Sequence, residues 1–219
     1  MTVAHSLREA HDLLLNAYGP QRWWPGDTRF EIMVGAVLTQ NTAWTNVEKA
    51  LANLKRNDAL SAEAILAARA SKLAGWLKPS GYFNIKAKRV KALCQWLVEQ
   101  GGVKAIAKRP TDELRRELLN VHGVGPETAD DILLYAFDRP VFVIDAYTRR
   151  IFRRMRLIAG DEGYEHLRAL FEKSLGEDAA LYNEYHALIV VHGKDVCRTR
   201  PRCSGCCLRR RCPASKELA

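Results

Sequence analysis

Apolar residues recur every three or four positions through most of the chain, and Gly, Pro, Asn and Asp punctuate the breaks, so the pattern predicts a succession of helices. Residues 6–17 read as a short amphipathic helix stopped by Gly19-Pro20, and QRWWPGDT, with adjacent Trp23 and Trp24, reads as a loop. From Phe30, FEIMVGAVL suits a buried helix. After the polar turn Thr39-Gln40-Asn41, TAWTNVEKALANLKR supplies Thr42 as an N-cap candidate and lines up Val47, Leu51 and Leu54. Further helices are predicted over SAEAILAARA, SKLAGWLK before Pro79, NIKAKRVKALCQWLVEQ before Gly101-Gly102, TDELRRELLN, PETADDILLYAF, EGYEHLRALFEKSL and DAALYNEYHALIVVHG. The β-branched Val141, Val143 and Ile144 could open a strand, but no second strand pattern stands nearby, so VFVIDAYTRRIF reads as an extended lead into a helix. With no internal repeat or low-complexity segment, the predicted class is all-α.

A chain of 219 residues, 47% hydrophobic, can bury the core of one domain or of two small interlocked lobes. No stretch approaches the roughly 20 apolar residues of a membrane span. The start, MTVAHSLREAHDLLL, carries charge where a secretory signal would be apolar, so a cytoplasmic protein is expected. In such a reducing compartment, five of six cysteines crowded into residues 197–212 favour metal ligation over disulfides, while Cys94 fits an inert core position. The formal charge is +9, with arginines gathered at Arg149, Arg150, Arg153, Arg154 and Arg156, and again at Arg198, Arg200, Arg202, Arg209, Arg210 and Arg211. Clustered positive charge attracts phosphate backbones through counterion release, although a solvated charged face has the same composition.

In LLNVHGVGPETA one helix ends, Gly123 and Gly125 permit conformations that β-carbons would forbid, and a new helix begins at once. Unpaired amides at such a helix start make an anion site, which could take a DNA phosphate without reading sequence. Taken alone, the same turn serves equally as a tight helix–helix corner.

The segment Val121-His122-Gly123-Val124-Gly125, followed some twenty residues later by Asp145, resembles the helix-hairpin-helix of the DNA glycosylase superfamily that includes endonuclease III. FEIMVGAVLTQN, GYFNIKAKRVKAL, HGVGPETADDILLYAF, VFVIDAYTRRIF, EYHALIVVHGK and the cysteine loop follow in the family's order, from about Phe30 to Pro213. The resemblance implies an all-α, two-lobed fold. A six-helix barrel over residues 28–139 would carry a wedge turn and the hairpin, and residues 1–27 with 140–219 would form a second lobe carrying Asp145 and the cysteine loop, with the DNA cleft between them. It implies a nucleoid-associated monomer acting on duplex DNA that contains a damaged base, gripped by His122, Gly123, Val124, Gly125, Arg149 and Arg200.

In bifunctional members a lysine on the second hairpin helix attacks the sugar to form a Schiff base, and its place here falls on Glu127. A carboxylate cannot form that imine, so base removal without strand cleavage is expected. Asp145 matches the family's catalytic aspartate, a group that can stabilise charge developing on C1′ and orient water. It also suits the N-cap of the helix beginning AYTRRIF, and the two roles are compatible. A non-catalytic hairpin protein that binds DNA would have no need of this carboxylate.

Chemistry on a duplex base requires flipping it out and filling the gap, and Gln40 and Asn41, with Thr42 beside them, match the family's wedge region. WWP, AVLTQNT and GVG followed by ETAD are most similar to the MagIII-type 3-methyladenine glycosylases, which implies a pocket of Trp23, Trp24 and Trp44 with Glu127 at its rim. N-alkylated purines are electron-poor or cationic, so indole faces favour them. The MutY branch places a glutamate where this chain has Ala36, leaving thymine or uracil mismatch removal as the stronger competitor.

The remaining motif is Cys197-x5-Cys203-x2-Cys206-x5-Cys212, one residue shorter in its first gap than the endonuclease III pattern. Four thiolates hold either zinc or a [4Fe–4S] cluster. Placement after EYHALIVVHGK implies the cluster, in a structural and electrostatic role. Cys207 adjoins Cys206, but Cys206 keeps the family spacing. MagIII-type enzymes lack such a cysteine cluster, which is a departure from the pattern that sets the substrate.

Overall fold

The computed structural model describes residues 2–217. Among the described residues there is no strand, and the chain is all-α. The helices are α1 (Val3–Tyr18), α2 (Arg29–Leu38), α3 (Trp44–Arg56), α4 (Ala62–Ala67), α5 (Ala70–Leu77), α6 (Phe83–Glu99), α7 (Val103–Ile106), α8 (Thr111–Asn120), α9 (Pro126–Asp131), α10 (Ala146–Arg154), α11 (Tyr164–Leu175) and α12 (Ala179–Asp195). None is long and apolar enough to cross a membrane. Side-chain oxygens complete several starts. Thr28 caps α2, Ser61 caps α4, Asp145 caps α10 and Asp178 caps α12, each accepting from an amide three residues on.

The chain divides into two compact bodies, one formed by residues through Trp23 with those from Asp138 onward and the other by residues 24–137. In the first, α1 packs on α11 and α12, and α10 packs on α12. Its core is aromatic. Phe142 stacks on Phe171 at 4.6 Å and meets Tyr182 edge-on at 5.3 Å, while buried Tyr185 donates its hydroxyl to the Leu7 carbonyl at 2.7 Å. The β-branched run at 141–144 is buried and extended, yet it needs no partner strand. The Phe142 amide donates to Glu172 Oε1 at 3.0 Å and the Ile144 amide to the Tyr164 hydroxyl at 3.4 Å, so side chains satisfy what a sheet would otherwise supply.

In the second body α6 packs against α4 and α5, and α2 packs against α3, α9 and the turn that follows α9. Cys94 lies fully buried in α6, where burial pushes its thiol up to about 12, as an inert core position should behave. Two features differ from the sequence pattern. Thr42 does not cap α3, which starts after Ala43 without a side-chain cap, because the Thr42 hydroxyl donates to the Ser80 carbonyl at 2.6 Å. The helix predicted from PETADD onward does not stay α-helical. After Asp131 it widens into a π-helical turn over Ile132–Ala136.

Helices α8 and α9 are tied by Arg115, whose Nε and Nη2 donate to the two oxygens of Asp130 at 2.6 and 3.1 Å, with the carboxylate wholly buried. Arg115→Met leaves that charge without its forked partner. The expected loss is about 3–5 kcal/mol, read as a lower urea midpoint at unchanged slope.

Candidate active site

Between α8 and α9 the chain turns through residues 121–125, closed by the Val124 amide donating to the Val121 carbonyl at 3.0 Å. Only one of its two glycines is conformationally required. Gly123 has φ +85°, and a β-carbon there would run into the aliphatic stem of Arg89. Gly125, with φ −95° and ψ 179°, adopts extended backbone open to any residue, so the expectation that both glycines serve special conformations is corrected. What distinguishes Gly125 is empty space where its side chain would stand. His122 is exposed at the tip.

Gln40 does not project freely from the α2–α3 turn. Its Nε2 donates to the Gly123 carbonyl at 2.9 Å and to Thr128 Oγ1 at 2.8 Å, and Arg89 donates to its Oε1. The glutamine therefore fastens this turn to the hairpin. Asn41 is the residue left exposed, held at φ +53°. Beside it Lys86, only 1% exposed, donates to the Leu38 carbonyl at 2.8 Å, to the Ser80 carbonyl at 2.7 Å and to Thr42 Oγ1. Two residues past Ser80, Tyr82 stands 69% exposed at φ +44°.

Trp24 and Trp44 meet edge-to-face at 5.0 Å, and Tyr135, from the π-helical turn, joins Trp24 at 4.9 Å. Gly35 makes room for both indoles, since a β-carbon there would come within 3.3 Å of Trp24 and 3.6 Å of Trp44. Trp23 belongs to the other body and Glu127 is exposed on the first turn of α9, so of the pocket residues expected from sequence the structure groups Trp24 with Trp44.

Asp145 sits 8% exposed at the start of α10. Its Oδ1 accepts from the Thr148 amide at 2.6 Å and the Thr148 hydroxyl at 2.8 Å, while Oδ2 faces His186 Nε2 at 3.7 Å. Burial acts to raise its pKa, but the neighbouring His186 and the two Thr148 donors outweigh that and hold the carboxyl below the usual range. The result is a fixed, ionised carboxylate with one oxygen fully engaged in capping.

The arginines divide by role. Arg149 donates to the Glu162 carbonyl at 2.7 Å, Arg150 to the Gly193 and Cys197 carbonyls at 2.8 Å each, and Arg154 to the Arg198 and Thr199 carbonyls at 2.6 and 3.0 Å. Most of the first cluster thus holds the backbone in place. Arg198, Arg200, Arg202, Arg209, Arg210 and Arg211 are exposed.

Cys197, Cys203, Cys206 and Cys212 line one cavity, and Cys207 does not. Cys207 instead engages the Tyr18 hydroxyl. Among the described residues no three His, Cys, Asp or Glu side chains converge closely enough to hold a single metal ion. Arg154 donates to Cys197 Sγ at 3.2 Å and His192 Nε2 lies 3.6 Å from Cys206 Sγ, contacts that suit thiolates. Four thiols around a shared space are a donor set that suits a thiolate-bound metal centre.

The hairpin, the capped aspartate and the cysteine loop define a DNA repair glycosylase, and the chain belongs to the HhH-GPD superfamily of base excision DNA repair proteins, which it matches over residues 34–177. Among similar proteins, a provisionally named DNA repair glycosylase of Methanocaldococcus jannaschii, MJ1434, is 47% identical over 92% of this chain and 93% of its own length. Endonuclease III of Thermotoga maritima is 31% identical over 84% of this chain and 82% of its own. The solved structure of H. pylori 3-methyladenine DNA glycosylase (MagIII) bound to 1,N6-ethenoadenine superposes with a TM-score of 0.76 at 32% identity, covering 89% of this chain and 98% of that one.

Sequence reasoning missed Lys86, Arg89, Tyr135 and His186. Their signal is faint, since basic or polar residues inside helical patterns look like ordinary surface positions until the fold buries them.

The two hairpin glycines are expected to respond differently to alanine. Gly123→Ala forces a β-carbon into the left-handed region against Arg89 and is expected to cost about 1–2 kcal/mol in urea unfolding. Gly125→Ala puts no β-carbon in a strained region and is expected to cost less, about 0.5–1 kcal/mol for the poorer N-cap residue. It nevertheless weakens binding to undamaged duplex in a fluorescence-anisotropy titration, because the new methyl stands where a phosphate would approach.

Proposed function

We propose that this DNA glycosylase is monofunctional and removes an alkylated purine, with 3-methyladenine as the reference substrate. The observation that carries the first half is Glu127. The hairpin-helix position where bifunctional relatives keep an imine-forming lysine has a carboxylate, so water rather than an amine completes the reaction at C1′. The second half is supported by the Trp24, Trp44 and Tyr135 group, whose ring faces suit an electron-poor base, and by the 32% identity to a glycosylase solved with 1,N6-ethenoadenine.

In this reading Asp145 carries the chemistry. Held ionised, it stabilises positive charge developing on the sugar as the glycosidic bond breaks, and the oxygen not engaged by Thr148 orients the attacking water. An alkylated purine is already a good leaving group, so one aspartate without a strong general acid is sufficient. Asn41 fills the vacated stack, the hairpin amides hold a phosphate, and the exposed arginines around the cysteine loop add sequence-independent attraction.

Cys197, Cys203, Cys206 and Cys212 would hold a [4Fe–4S] cluster, which supplies no step of hydrolysis and ties down the arginine-bearing loop. The fit rests on their shared cavity and on the thiolate-stabilising contacts of Arg154 and His192.

Asp145→Asn keeps the helix cap and removes the charge, so single-turnover release of 3-methyladenine is expected to fall by about 100- to 1,000-fold with duplex binding retained. With the unaltered protein, strand scission should appear only after alkali. A borohydride-trapped protein–DNA adduct would contradict monofunctional action.

Cys206→Ser should lose iron and the cluster's visible absorbance, whereas Cys207→Ser should keep both. The reverse result would reassign the ligand.

A further inference from the structure

Among the basic side chains of the second body, Lys86 is the one most thoroughly removed from water. No carboxylate pairs with it among the described residues. Its acceptors are two backbone carbonyls and a hydroxyl, and they come from two different turns. Leu38 is the last residue of α2 and Thr42 lies four positions on, so these two flank the turn that carries Asn41. Ser80 belongs to the Lys78–Ser80 turn that leads into Tyr82. Thr42 reinforces the link with its own bond to the Ser80 carbonyl at 2.6 Å. One helical turn along α6, Arg89 donates to Gln40 and packs its stem under Gly123, while Gln40 reaches the Gly123 carbonyl and Thr128. Burial, followed by the charge of Arg89, brings the Lys86 pKa down to about 8, the mark of a cation kept in place by its three oxygens alone.

An ammonium in this position is costly to bury, and an apolar residue would fill the space with less strain on the surrounding polar groups. Its three donors nevertheless match three acceptors, one of them a carbonyl that the end of α2 leaves without an intrahelical partner. Remove it and, among the described residues, the Thr42–Ser80 bond is the side-chain hydrogen bond left between the two turns. Asn41 and Tyr82, both in the left-handed region and both exposed, are the residues whose aim depends on that connection.

We propose that Lys86 is a positioning residue for opening the duplex. It locks the Asn41 turn and the Tyr82 turn into one rigid element, which Arg89 and Gln40 fasten to the hairpin, so that phosphate grip and wedge insertion occur in fixed register. This rests on the glycosylase reading above, in which the Asn41 turn enters the base stack.

The test uses the whole protein and a probe that needs no chemistry. A duplex carries a tetrahydrofuran abasic analogue opposite 2-aminopurine, whose emission rises when the base is unstacked. Binding is followed by anisotropy and stack opening by 2-aminopurine emission at saturating protein. With the unaltered protein, emission is expected to rise. Lys86→Met is expected to bind with nearly the same affinity, because the hairpin is intact, while the emission rise falls by at least about tenfold, since one charge-assisted hydrogen bond is worth about that factor and the substitution removes three. If Lys86→Met does not fold, Lys86→Gln, which removes the charge and keeps a shorter donor toward the two turns, supports the same comparison. Full emission from the variant overturns the proposal alone. Binding and emission that fall together in proportion also overturn it, since that is a general loss of fold. No rise with the unaltered protein overturns the wedge reading and the proposal with it.

Discussion

An α-helix leaves backbone groups unsatisfied at both ends, and in this chain the sites of interest are where something other than the helix completes them. Asp145 completes the start of α10, and its carboxylate is held in one orientation as a result. Lys86 completes the end of α2 by donating to the Leu38 carbonyl at 2.8 Å, and the residue presented beyond it is Asn41. Arg150 serves the end of α12, where the chain enters the cysteine loop. At the hairpin the N-cap residue, Gly125, supplies no side chain, and the opening of α9 stays available to an anion.

The same logic sorts the positive charge. Net charge draws the protein to a polyanion from a distance, but it does not say which cations touch it. Arg150 and Arg154 present planar donor forks to backbone carbonyls, a task for which a lysine's point charge is a poor substitute. Lys86 occupies the opposite situation, three single acceptors around one compact ammonium. Of the exposed arginines of the cysteine loop, Arg211 pairs with Glu9 at 2.6 Å, while Arg198, Arg200, Arg202, Arg209 and Arg210 lie exposed beside it in sequence.

Helix existence was legible almost throughout, because the apolar period of FEIMVGAVL, NIKAKRVKALCQWLVEQ and DAALYNEYHALIVVHG is long and uninterrupted. Asp145 was legible as a cap for the same local reason, an acidic residue directly before a helical pattern. What could not be read was any detail set by a distant partner. Thr42 has the chemistry of a cap, and only the approach of Ser80 and Lys86 turns its hydroxyl elsewhere. Gln40 looks like a free wedge residue until Gly123 and Thr128 come within reach. Cys206 and Cys207 are indistinguishable as neighbours in sequence, and they separate once the loop turns one thiol toward the shared cavity and the other toward Tyr18. The widened turn after α9 had no local signal either, since ILLYA is an ordinary apolar run.

That widened turn changes how the helix can be read as a ruler. A π-helical turn accommodates an extra residue, so positions after Ile132 are out of phase with those before it by close to one residue, about 100° of rotation. The Asp130 end keeps its grip on Arg115, and the Tyr135 end faces Trp24. A regular helix satisfying the first contact would swing the tyrosine away from the second. One inserted residue therefore lets a single rod answer to two separate alignments, one toward α8 through Arg115 and one toward the aromatic group.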